Sequence, residues 1–318
     1  MRTAVRLVAV SVALVVGVRA IGRDREASAD APESVDAAPD ASMPAGARAV
    51  WTDADWAVFV SKVRWAREEG LEALAPGETV GRLARSFVGT PYTPGTLEAD
   101  GPERLVIDFR EFDCVTFVEN MLAMTRFIRS DGADLLGDPE RARATYEGYL
   151  MDLRYRGGRL DGYPSRLHYF SEWLSDNAAR GLVTPVTPGL DPALDSDPID
   201  FMSTHADAYR QLADPGVRAA IGEMEARLNG AGPRAYVPQE RIASVADRIQ
   251  TGDVIAATST VPGLDVAHTG LALWIDGRLH MVHAPLVGRS VEVSDVPLAE
   301  RIVGISGQDG IMVARPVF

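Results

Sequence analysis

Cys114, the chain's only cysteine, follows Phe112 and Asp113 at the head of an apolar stripe, and three of the five histidines, His268, His280 and His283, cluster far downstream. A thiol attacks carbon only as thiolate, and a free one, with a pKa of about 8.5, is a few per cent ionised at pH 7. Lowering that pKa by about two units costs about 2.7 kcal/mol. A helix N-terminus contributes roughly 0.3 to 1 kcal/mol and at most about 2, so a histidinium partner is needed to make up the difference. His268 can be that partner and then the general acid to a leaving amine, with His283 orienting its ring and backbone N–H groups near Cys114 receiving an oxyanion. The chemistry so assembled is acyl transfer at an amide or ester.

The same residues have plainer uses. Cys114 can be a buried core thiol or an intermolecular linker. The histidines can be satisfied core or surface residues, or zinc ligands as a set of three, although His280 and His283 diverge on a strand. Tyr92, Arg166 and His168 would serve equally as a loop anchor, a surface charge and a helix-start residue.

The local pattern shows what must position these groups. Asp113 suits an N-cap, and Phe117, Val118, Met121, Met124 and Ile128 continue from Cys114 at helical spacing, which predicts a helix with the thiol in its first turn. Asp276-Gly277 between two apolar runs predicts a two-residue hairpin. Setting Ile275 opposite Arg278 places Leu273 opposite His280, Gly270 opposite His283 and His268 opposite Pro285. His268 and His283 then project from one face as diagonal neighbours and His280 from the other, with Gly270 leaving room for an imidazole. A bulge in the hairpin would exchange the roles of His280 and His283.

Helices are predicted from a Thr52/Asp55 cap through Trp56, Phe59, Val60 and Val63 to near Gly70, and over Val80 to Phe87. Others are predicted after Asp138-Pro139, around Leu167 to Leu174, and over Phe201–Leu212 and Val217–Leu228. The Pro- and Gly-rich run Gly89 to Gly95 is a loop bearing Tyr92, Thr184 to Asp200 is a second loop, and strands begin at Asp253.

With 318 residues the chain has room for one enlarged α+β domain or two smaller ones. Its 45 acidic residues against 32 Lys and Arg give a net charge of −13, which speaks against a nucleic-acid partner. One cysteine excludes an intrachain disulfide and any Cys-rich metal cluster. Arg2 and Arg6 precede an uncharged apolar run, Leu7 to Val18, too short to span a bilayer; residues 1–29 read as an export signal ending at Ala27-Ser28-Ala29, or as an uncleaved anchor. Residues 30–50 read as a disordered Ala/Pro/Asp-rich linker and 51–318 as the folded domain.

Gly89-Thr90-Pro91-Tyr92, Gly95-Thr96-Leu97-Glu98 and Phe112-Asp113-Cys114-Val115-Thr116-Phe117-Val118-Glu119 resemble the N-acetylmuramoyl-L-alanine amidase-like family of the NlpC superfamily, the papain-like cell-wall cysteine peptidases. Arg154-Tyr155-Arg156, Ser165-Arg166-Leu167-His168-Tyr169-Phe170, Gly263 to Gly270 and His283-Ala284 follow in the family's order. The resemblance, from about Val80 to the C-terminus, implies a papain-like α+β fold, a Cys-bearing helix packed on an antiparallel sheet that bears the His. It also implies Cys114 as nucleophile, His268 as base and His283 as third polar residue. Tyr92, Asp113, Ser165, Arg166 and His168 are implied to meet the substrate, with no metal or cofactor. The implied partner is peptidoglycan or a muropeptide, cut between N-acetylmuramic acid, in some members the anhydro form, and L-alanine. An endopeptidase cutting the D-glutamyl bond of the stem peptide and a wall-binding protein with a vestigial site are the alternatives. Export implies the periplasm or cell envelope. Muramyl peptides are anionic, so a protein this acidic would want a local cation, and Arg166 is the expected one. Pro285, where a small polar residue commonly follows His-Ala, departs from the family's pattern.

Overall fold

In the computed structural model, residues 49–130 and 132–318 are described; the export segment and all but the last two residues of the linker lie outside them. Those two belong to the folded body. Val50 forms a parallel bridge with Val106, its N–H donating to the Leu105 carbonyl at 2.9 Å.

The helical half begins at α1, Asp53–Glu68, closed by the reciprocal Thr52–Asp55 capping box. It continues with α2, Pro76–Arg85; α3, Cys114–Ser130; α4, Pro139–Arg154, capped by Asp138; and α5, Phe170–Ala179. Helix α2 starts earlier than its apolar spacing predicts because Pro76 can occupy a first-turn position, where its missing N–H leaves no bond unmade. Helix α3 is buried almost all round, from Thr116 to Ile128, which makes it the central rod of the domain. It packs against α4 on one side and against the sheet on another.

The sheet comprises β1 Val183–Pro185, β2 Ala193–Asp195, β3 Arg234–Pro238, β4 Val254–Ser259, β5 Val266–Ile275, β6 Arg278–His283, β7 Glu292–Val293 and β8 Gln308–Pro316. Its order is β2-β3-β8-β4-β5-β6-β7, all antiparallel, with β1 pairing β8 beyond the end of β3. Strand residues alternate between two cores. Val254, Ala256, Leu271, Leu273 and Val282 join the helical core around α3. Ile255, Ala257, Ala272, Met281 and Val313 face a smaller core closed by α7, Leu298–Gly304. A third cluster holds Tyr169, Phe201, Met202 and Ile221 under α6, Pro215–Gly230.

Two predicted elements differ. The helix expected over Phe201–Leu212 stops at Thr204 and breaks into short turns. Ser203 and Thr204 hydroxyls donate back to the Asp200 carbonyl at 3.1 and 2.8 Å, and His205 Nδ1 engages the Phe201 carbonyl at 2.9 Å, competing with further helical bonds. The stretch expected as loop from Thr184 to Asp200 contributes most of β1 and all of β2, each three residues long and too short to show alternation.

Candidate active site

The thiol heads α3 through a compact cap. Asp113 Oδ1 accepts from the Thr116 N–H and hydroxyl, each at 2.8 Å, while the Asp113 N–H donates to Thr116 Oγ1 at 2.9 Å. Asp113 is therefore occupied as the helix cap. Across the sheet interface, the Thr269 hydroxyl donates to the Cys114 carbonyl at 2.9 Å, and the Thr269 N–H and hydroxyl also support the sulfur. The sulfur thus sits beside the His268–Thr269 peptide, at the start of β5.

The hairpin register is the one expected. Ile275 opposes Arg278, Leu273 opposes His280 and Leu271 opposes Val282, around a turn in which Asp276 and Gly277 both have positive φ, 48° and 75°. A Cβ at Gly270 would lie 2.8 Å from the His283 Cβ and 2.7 Å from the Val282 carbonyl oxygen, so only glycine leaves His283 its place. His268 Nε2 and His283 Nδ1 are 2.9 Å apart, with the rings edge to face. His280 turns away, its Nδ1 2.9 Å from the Ser294 carbonyl. The bulge in this part of the sheet lies between β4 and β5, where Ala257 pairs His268 but Thr258 pairs Val266. It leaves the β5–β6 register intact. Asp265 anchors the strand start, accepting from Ser171 N–H at the head of α5 at 2.7 Å.

Burial sets the protonation states. It pushes the Cys114 thiol up to about 11, with the Asp113 carboxylate adding to the shift and the Thr269 bonds opposing it. It also holds His268 well below its ordinary range, His283 and Arg301 adding their own repulsion, and takes His283 down to about 3. Both shifts favour the uncharged forms, a neutral thiol at Cys114 and a neutral imidazole at His268. That direction runs against the thiolate–imidazolium pair expected from the sequence, because burial in the packed domain takes water from both charges.

Tyr92 lies alongside. Its backbone pairs with Phe112, and the Tyr92 N–H donates to the Arg289 carbonyl at 2.8 Å. Its hydroxyl is buried without a hydrogen-bond partner, and burial together with the Cys114 and Asp113 charges raises its proton affinity. An unpartnered hydroxyl beside the thiol is a donor awaiting an acceptor.

The Ser165–His168 block is engaged within its own loops. Ser165 Oγ donates to the Gly162 carbonyl at 2.7 Å and accepts from the Asp161 N–H. His168 Nε2 lies 2.8 Å from the Tyr163 carbonyl under the Tyr163 ring. Arg166, expected as the cleft's free cation, is 5% exposed, pairs with Glu98 and Glu103 and donates to the Leu97 carbonyl at 2.9 Å. A buried guanidinium needs such partners, and with two carboxylates beside it, it offers no net positive charge.

Arg301 on α7 is a cation near this site that the sequence does not point to. Its guanidinium lies within electrostatic reach of Cys114, His268, His283 and Glu292, and its hydrogen bond to Gln308 Oε1 is long, 3.3 Å. Nothing in Pro297-Leu298-Ala299-Glu300-Arg301 marks it in the sequence; only the fold of α7 over the second core brings it here. Among the described residues no group of three His, Cys, Asp or Glu side chains is arranged to hold a metal ion, and no helix is long and apolar enough to cross a membrane.

These features define a mixed α+β protein in which a cysteine at the head of a capped helix packs against the antiparallel strand that carries one of two hydrogen-bonded histidines. Residues 82–307 match the N-acetylmuramoyl-L-alanine amidase-like family, and the chain belongs to it. It is 36% identical to an N-acetylmuramoyl-L-alanine amidase from Bacteroides uniformis, with a TM-score of 0.70 over 76% of this chain and 99% of that one. A Bacteroides fragilis protein provisionally named as a xylanase is also 36% identical, with a TM-score of 0.67 over 73% of this chain and 98% of that one. Protein LPG0564 of Legionella pneumophila shares the fold at 20% identity, with a TM-score of 0.59 over 83% and 96% of the two chains. Compared with curated proteins, the chain finds no match.

Proposed function

We propose that this protein is a cysteine amidase of the papain-like NlpC type, exported to the cell envelope, which hydrolyses the amide between N-acetylmuramic acid and L-alanine in peptidoglycan or its fragments. The observation that carries this reading is the 2.9 Å His268–His283 bond at the strand start whose next residue, Thr269, holds the Cys114 carbonyl and sulfur. His268 Nε2 is engaged by His283, which leaves Nδ1 to take the thiol proton as the sulfur attacks the lactyl carbonyl. The tetrahedral oxyanion is received by the Cys114 N–H at the head of α3 and by the Tyr92 hydroxyl. His268 then gives its proton to the departing L-alanine amine, a muramoyl thioester remains on the sulfur, and water activated by the same imidazole releases it. No cofactor enters. The xylanase name of one relative suggests glycoside hydrolysis, but that chemistry needs two flanking carboxylates, and this centre is a thiol with two imidazoles.

Muropeptide digestion followed by mass spectrometry tests the bond choice. Free stem peptide beginning with L-alanine is expected; a muramyl dipeptide product would instead establish the D-glutamyl endopeptidase. A chelator should leave the rate unchanged.

His283→Ala should lower kcat by about 10² to 10⁴-fold, since His268 loses its orienting partner, whereas His280→Ala should stay within about twofold. Equal losses in both variants would contradict the assignment. The acid limb of kcat/KM should fall below pH 6.5, because a His268 held below its ordinary range remains an unprotonated base to lower pH. Arg301→Gln removes one cation that lowers both imidazoles, so the limb should move up towards neutrality, and KM for an anionic muramyl peptide should rise. An unmoved limb in Arg301→Gln would remove Arg301 from this account.

A further inference from the structure

His283 has one ring nitrogen engaged and one idle. Nδ1 meets His268 Nε2 at 2.9 Å, while Nε2 is buried with no hydrogen-bond partner. Opposite His283 in the β6–β7 register stands Glu292, whose Oε1 lies 3.8 Å from that idle nitrogen. This is ion-pair range and just beyond a hydrogen bond. The Glu292 side chain is 43% exposed and can swing; its other oxygen is folded back over the turn, where a Cβ on Gly288 would lie 2.3 Å from it.

The idle nitrogen matters because two neutral imidazoles sharing one hydrogen bond have two tautomeric arrangements. In one, His283 carries its proton on Nε2, its bare Nδ1 accepts from His268 Nε2–H, and His268 Nδ1 is bare. In the other, His283 donates from Nδ1 into a bare His268 Nε2, and His268 Nδ1 already holds a proton. Only the first leaves His268 able to receive a proton from the thiol. The charged or titratable groups around His283 are His268 on β5, Glu292 on β7 and Arg301 on α7, while Asp295 acts on Glu292. Arg301 is a cation and cannot accept; Glu292 can.

The geometry points to Glu292 as a positioning residue that holds the His283 proton on Nε2 and thereby selects the tautomer in which His268 is a competent base. This rests on the reading of His268 as the base. No covalent bond changes and no net proton reaches Glu292; the carboxylate accepts a hydrogen bond, as oriented imidazoles commonly require of a neighbouring acceptor. Such bonds are often long in ligand-free sites and tighten with substrate.

The test uses the full-length protein labelled with 15N-histidine, its five imidazoles assigned by single substitutions. Two-bond ring correlations report each tautomer directly. In the wild type, His283 and His268 are expected as Nε2–H tautomers. Glu292→Ala should shift His283 towards Nδ1–H and lower kcat by about 10 to 100-fold, with KM changed by less than about twofold. Glu292→Gln keeps a carbonyl acceptor, so it should restore the Nε2–H tautomer and most of the turnover. A wild-type His283 protonated on Nδ1, or a Glu292→Ala spectrum identical to wild type, overturns the proposal, and the first of these does not depend on a Glu292 variant folding. Because the spectrum is read without substrate, an inactive wild type would sink the amidase reading alone and leave the Glu292 result to stand or fall by itself.

Discussion

Cys114→Ala should reduce hydrolysis of a muramyl peptide by about 10⁴-fold or more, because the general base then has no nucleophile to deprotonate and only binding and oxyanion contacts remain. The fold should tolerate the change. Cys114 is partly exposed, and the cap that starts α3 is made by Asp113 and Thr116, not by the sulfur. A melting temperature within a few degrees of wild type, together with the lost rate, separates a chemical role from a structural one. Retained turnover would show that another group attacks the carbonyl. Cys114→Ser should be nearly as inactive, since a hydroxyl beside a base of lowered proton affinity ionises less readily than a thiol.

The largest stability effect should come from the charges sealed behind α3. Arg154 Nε donates to Glu119 Oε2 at 2.7 Å with both side chains essentially inaccessible; Trp173 donates to the other Glu119 oxygen and Arg154 Nη1 to the Val106 carbonyl. One step along α3, Tyr146 donates to Asn120. This network fastens α3 to α4, α5 and the segment leading to Cys114. Glu119→Ala strands a buried guanidinium and should cost about 3 to 5 kcal/mol. For a domain of this size that is a drop in melting temperature on the order of 10 °C. The double variant Glu119→Met with Arg154→Leu should recover much of the loss, because the desolvation of both charges disappears with them. Calorimetry of the two variants against wild type decides the matter; a loss under about 1 kcal/mol in Glu119→Ala would mean that the pair is not what holds α3 in place.

The legible parts of this molecule are those where local chemistry and long-range structure agree. The α1 capping box, the Asp113 cap and the turn at Asp276-Gly277 are set by residues within a few positions of one another, and the histidine register follows from that turn. Strands β1 and β2 were hidden because three residues show no alternation, and their pairing partners lie far along the chain. The break after Thr204 depends on side chains bonding back to carbonyls, which periodicity does not register. In the site, residue types were readable and partners were not. Arg166 looks like a free cation until Glu98 and Glu103 close on it, and Arg301 looks like surface charge until α7 folds down beside the histidine pair. Desolvation of the thiol is likewise a property of the packed domain, absent from any spacing.

The most direct measurement is intact-protein mass spectrometry of an acid-quenched reaction with a muramyl peptide. A muramoyl adduct mapped to Cys114, formed by wild type and absent from Cys114→Ala, with free L-alanyl stem peptide released in equal amount, is the predicted result. Release of that same stem peptide at the wild-type rate by Cys114→Ala, with no adduct on the wild-type chain, would contradict it.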